Sequence, residues 1–83
     1  MAGLTKKQFS LLNNYIDEYL KRYGYTPFSE WAPYKYWIIG YTEALGLKAE
    51  FISKTQYTTS HHYVNVYQKN KDGEWTVILS RMQ

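Results

Sequence analysis

Apolar side chains recur at three- and four-residue spacing through the first quarter of the chain. Leu12, Ile16, Tyr19 and Tyr23, flanked by Phe9, Tyr15 and Leu20, form one stripe, while Asn13, Asn14, Asp17, Glu18, Lys21 and Arg22 fall largely elsewhere. That pattern belongs to an amphipathic helix. Its start is written in Thr5-Lys6-Lys7-Gln8, a capping box in which the Thr5 hydroxyl accepts a first-turn amide and the Gln8 side chain reaches back. Lys21 and Arg22 complement the helix dipole in the last turn, and Gly24 ends the stripe. The spacing predicts a helix over 5–23.

Thr26 and Pro27 give a second start signal, cap and first helical residue of one short turn. Pro33 has no amide to donate and disfavours helix at Ala32, so the longer helix is expected over 33–45. Tyr34, Trp37, Ile38, Tyr41, Ala44 and Leu45 would line its buried side, and Gly46 followed by Leu47 would stop it. Gly40 inside this segment costs ~1 kcal/mol relative to alanine, which points to a close contact with another element.

After Leu47 the period drops to two. Lys48 to Tyr57, His61 to Lys69 and Glu74 to Met82 are rich in Val, Ile, Thr, Tyr and Phe, and Asn70-Lys71-Asp72-Gly73 between the last two is a hairpin signal. A type I turn with Gly73 left-handed would pair Asn70 with Glu74, Lys69 with Trp75, Tyr67 with Val77, Val66 with Ile78 and Asn65 with Leu79. One face then carries Tyr63, Asn65, Tyr67, Lys69, Trp75, Val77, Leu79 and Arg81; the other carries His62, Val64, Val66, Gln68, Thr76, Ile78, Ser80 and Met82. The expected fold is α+β, with two N-terminal helices packed on a three-stranded antiparallel sheet (ααβββ), in a single small domain over 1–83.

Composition sharpens this. A chain of 83 residues buries only roughly 60% of its unfolded surface, and with no cysteine it has no disulfide to help. Ten Tyr, three Trp and three Phe supply the core material instead and exclude disorder. No apolar run is long enough to span a membrane and no leader is evident, so the expected location is cytoplasmic, without membrane attachment. Ten Lys and Arg against seven Asp and Glu give +3, divided as +2 and +1 about residue 42 with no basic stripe. Phosphate contact is permitted rather than demanded.

No catalytic constellation stands out. His61 and His62 are adjacent, so in a strand they point to opposite faces and cannot chelate one ion. Ser10, Ser29, Ser53, Ser60 and Ser80 lie in no nucleophile-elbow context, and no glycine-rich phosphate loop occurs. The expectation is a non-enzyme without metal or cofactor. The aliphatic Val64/Val66 face is the better core candidate, leaving Tyr63, Asn65, Tyr67, Lys69, Trp75 and Arg81 as a surface of rings and cations. Such a surface binds single-stranded nucleic acid, because any base can stack and cations meet phosphates. It equally grips a protein, and in so small a domain the same rings could instead form the core. Ten rings crowd the 27 residues from Tyr15 to Tyr41. Tyr36 lies off the helical stripe and Trp31 sits in the linker, so both join the candidate surface.

Leu4-Thr5-Lys6-Lys7-Gln8, Leu12, Ile16, Glu18-Tyr19, Gly24-Tyr25-Thr26-Pro27 and Ala44-Leu45-Gly46-Leu47-Lys48 resemble the winged-helix DNA-binding domain of LexA-type repressors over roughly the first half of the chain. The resemblance implies DNA binding through a recognition helix, which here only His61 to Asn70 could supply, against the β-propensity of Tyr63, Val64, Val66 and Tyr67. About a dozen extra residues, Ala32 to Glu43, are also interposed, so no recognition residues carry over. The expected function is a binding module associated with nucleic acid. The alternative is a protein-binding inhibitor or adaptor of the kind phages and mobile elements encode, for example against a host defence nuclease complex. A homodimer is compatible with both.

Overall fold

The computed structural model describes residues 4–83, which form α1 (Lys6–Arg22), α2 (Phe28–Ala44), β1 (Lys48–Gln56), β2 (Thr59–Lys69) and β3 (Trp75–Met82). The strands make an antiparallel meander with β2 in the middle, and both helices lie on one face of it. This is the α+β arrangement expected. Thr5 accepts from the Gln8 amide at 3.1 Å while Gln8 Oε1 accepts from the Thr5 amide at 3.0 Å, so the capping box forms as written.

The second helix departs from expectation. It starts at Phe28, not Pro33, with Pro27 as cap residue and Pro33 inside. Pro33 forfeits only the bond to the Ser29 carbonyl, in the first turns, where few amide bonds have yet formed. Starting early buries Ala32 and seats Trp31 against Tyr19, Tyr23 and Phe28 at 6.0, 4.7 and 4.9 Å between ring centroids. Trp31 is therefore a helical packing residue rather than a linker residue. The Thr26 hydroxyl caps nothing downstream; it donates back to the Arg22 carbonyl at 3.1 Å.

The buried side of α2 is also different. Ile38 is fully buried as expected, but Trp37 is 51% exposed and Thr42 is buried in its stead. Thr42 is tolerated there because its hydroxyl donates to the Ile38 and Ile39 carbonyls at 2.8 and 2.9 Å. Gly40 has nothing within 4 Å of the place a Cβ would occupy, so the expected close contact does not exist. Gly46 does stop the helix: at φ +73° it turns the chain so that the buried Leu47 donates to the Thr42 carbonyl at 2.8 Å.

Leu12, Ile16, Tyr19, Leu20, Ile38, Leu47, Val64 and Val66 form the core, with Ala49, Phe51, Ile78 and Leu79 packed around it. The Val64/Val66 face is thus the one the helices cover. The second hairpin closes as expected, with Gly73 at φ +81°, the Asn70 amide bonded to the Glu74 carbonyl, and Lys69 opposite Trp75. Beyond Tyr67 and Val77 the register slips. Val66 faces Leu79 and Asn65 faces Ser80, leaving Ile78 as the extra residue of a bulge. Ile78 and Leu79 both pack on the core, and every later residue of β3 changes face. Segment His61–Asn70 is strand up to Lys69, so it supplies no recognition helix. No described helix is long and apolar enough to cross a membrane.

Candidate nucleic-acid interface

Alternation along three paired strands fixes what the other sheet face displays. Opposite pairs place Lys48 beside Tyr67 and Val77, Glu50 beside Asn65 and Ser80, and Ile52 beside Tyr63 and Met82, with Lys54, Lys69 and Trp75 at the ends. Neither Tyr63, Tyr67, Ile52, Val77 nor Met82 packs on the core cluster, and Val77 and Met82 are more than half exposed. This face is open.

Cations and rings are already matched on it. Lys54 Nζ lies 6.0 Å from the Tyr63 ring centre, Lys48 5.6 Å from Tyr67 and 5.9 Å from Trp75, and Lys69 5.6 Å from Trp75. Each such pair is worth about 0.5–1 kcal/mol at an exposed site. A stacking base can therefore displace the ammonium from the ring and offer it a phosphate in exchange. The Tyr67 hydroxyl donates to Glu50 Oε1 at 2.7 Å, Asn65 Nδ2 makes a longer contact to the same oxygen at 3.5 Å, and the Ser80 hydroxyl donates to Asn65 Oδ1 at 2.7 Å. The bond from Tyr67, then that from Asn65, holds the Glu50 carboxyl below its ordinary value; the same bond to Glu50 raises the Tyr67 phenol.

Comparison with family models, curated proteins and solved structures finds no match to this chain.

Of the residues singled out from sequence, Tyr63, Asn65, Tyr67, Lys69 and Trp75 share the open face. Trp75, 42% exposed, also borders a hollow of about 320 Å³ with Ile39, Glu43 and Lys48 at the end of the sheet. Arg81 does not share the face. The bulge at Ile78 turns it toward α1, where its guanidinium bonds Asn13 and pairs with Asp17 at 3.0 Å. Tyr36 sits on the far side of the molecule, 61% exposed, lining a hollow of about 330 Å³ with Tyr15, Trp37, Gly40, Tyr41 and Ala44.

Lys48, Glu50 and Lys54 were missed, although their positions two and four residues apart, on one face of the first strand, were visible in the sequence. Tyr57 was missed too. It forms the tip of the β1–β2 hairpin at φ 58°, 92% exposed, and no glycine or asparagine marks the turn. His61 and His62 do diverge: His62 accompanies the helix-side residues, with Ser53 Oγ 3.0 Å from its Nδ1 and its ring edge-on to Tyr23. No cluster of potential metal ligands occurs among the described residues.

Proposed function

We propose that this chain is a non-enzymatic module that binds single-stranded nucleic acid on the open face of its sheet. The observation that carries this is the set of lysines, Lys48, Lys54 and Lys69, held over Tyr63, Tyr67 and Trp75 on a face no helix covers. Rings take bases of any sequence and ammonium groups take the flanking phosphates, so affinity needs no deep pocket. Support thus lies in the sheet rather than in the likeness of the first half to winged-helix repressors.

Fluorescence anisotropy with labelled single strands and duplexes tests the proposal. Engagement of three phosphates gives a slope of log K against log salt of about −2 for single strands. Lys48→Ala/Lys54→Ala/Lys69→Ala should abolish binding while leaving the thermal transition in place. Absence of salt-sensitive binding at low ionic strength rejects it.

The outer side of α2 favours a second reading, the protein-binding inhibitor or adaptor. Tyr36 and Trp37 are more than half exposed there beside Gly40 and Ala44. Large rings exposed side by side are ordinarily covered. Capture of a stoichiometric partner after nuclease treatment, lost on Tyr36→Ala, would support this reading and leave the sheet-face variant indifferent.

A further inference from the structure

The open face is banded across its strands. Two ring-bearing rows, Lys48–Tyr67–Val77 and Ile52–Tyr63–Met82, flank one row without rings, Glu50–Asn65–Ser80. Within that row hydrogen bonding runs inward. Tyr67 spends its hydroxyl proton on Glu50 Oε1, Ser80 spends its own on Asn65 Oδ1, and one Asn65 amide proton turns to Oε1. No hydrogen bond from a described residue reaches Glu50 Oε2, and no buried side-chain oxygen among those residues lacks a partner, so Oε2 meets solvent. The Oε1 bonds also keep the carboxylate ionised. A fixed anionic acceptor therefore stands in the middle row of the face, on the edge strand β1, with Lys48 in the row beside it and Lys54 and Lys69 at the two ends.

That placement separates two parts of a bound strand. Phosphates are drawn to Lys48, Lys54 and Lys69 and repelled by the Glu50 carboxylate itself, so the group that meets Glu50 is a base edge. The acceptor then asks for a donor on the base edge. Cytosine and adenine present an exocyclic amino group beside a ring acceptor, which the remaining Asn65 amide proton can meet. Thymine and uracil present only N3–H between two carbonyls that repel a carboxylate. Resting on the nucleic-acid function proposed above, we infer that Glu50 makes this face select single strands bearing amino bases over thymine or uracil strands.

Oligo(dC) against oligo(dT) of equal length is the decisive pair, since both are pyrimidines of similar stacking area and differ at the edge Glu50 would meet. Anisotropy titrations at neutral pH should show the native chain preferring oligo(dC) by about tenfold, the discrimination of one good base-edge contact. Glu50→Gln offers donor as well as acceptor, so the two strands should then bind within about twofold of each other, with circular dichroism confirming that the variant is folded. Equal affinity of the native chain for both strands, or a preference that survives Glu50→Gln, overturns the selectivity and leaves the binding function standing. Failure of the native chain to bind either strand overturns both.

Discussion

Two turn residues carry opposite conformational costs. Gly73 holds φ +81° in the second hairpin, a region a β-branched residue enters only under strain. Gly73→Val should lower stability by about 1–3 kcal/mol, read as a fall in the urea midpoint. Tyr57 holds φ 58° with its ring almost wholly in water, so glycine there loses no packing. Tyr57→Gly should raise stability by up to about 1 kcal/mol. Protonation is a residue-scale matter as well. Glu50, bonded by Tyr67 and Asn65, and Glu18, bonded by Arg22 and Lys21, both sit below the ordinary carboxylate value in the fold. Their stabilisation is complete above the unfolded-state value and is lost as pH falls through the folded-state value. Tyr19, raised by burial and then by Tyr23, and Tyr67, raised by Glu50, contribute in the reverse sense and lose their contribution as pH climbs past the ordinary phenol range. Urea midpoints of Glu50→Gln measured against pH should show a shallower acid limb and also a shallower alkaline one, because Tyr67 loses its anionic partner.

At the scale of elements, α1 was legible because every signal agreed: capping box, stripe, basic last turn and glycine stop all describe Lys6–Arg22. In α2 the signals conflicted. Proline chemistry argued for a start at Pro33, yet packing of Trp31 and Ala32 overrode one missing hydrogen bond. The exposed ring of Trp37 and the buried hydroxyl of Thr42 reversed hydropathy for a similar reason, since Thr42 satisfies itself on its own helix. Gly40 gives the test for this element. With open space at its Cβ position, Gly40→Ala should stabilise α2 by about 0.5–1 kcal/mol, visible as a higher melting temperature. A loss instead would mean that something packs on that side of the helix.

Across the whole molecule, the end of the chain fastens the sheet to α1. Gln83 Nε2 donates to the Leu20 and Tyr23 carbonyls at 2.7 and 3.0 Å, satisfying acceptors at the helix C-terminus, while Arg81 reaches Asn13 and Asp17. Gln83→Ala should cost about 1 kcal/mol and be indifferent to salt. Arg81→Ala should cost no more than about 1 kcal/mol, since the pair with Asp17 is about one-third and two-fifths exposed and water screens it. That cost should shrink at high ionic strength, so melting both variants with and without added salt separates the two ties. The open face lies opposite this fastening.

Local pattern alone determined the ααβββ order, the capping box, both glycine stops and the turn at Gly73, because each depends on residues within a few positions of one another. It also separated Val64 and Val66 from Tyr63 and Tyr67, since alternation in a strand is a strict period of two. Only the tertiary structure decided which residues of β3 join which face. Burying both Ile78 and Leu79 against the helices inserted one bulge residue, and a single insertion moved Arg81 from the candidate surface to an ion pair with Asp17. The rows across the sheet, with Glu50 between the rings, follow from pairing of distant strands, and no local periodicity encodes it.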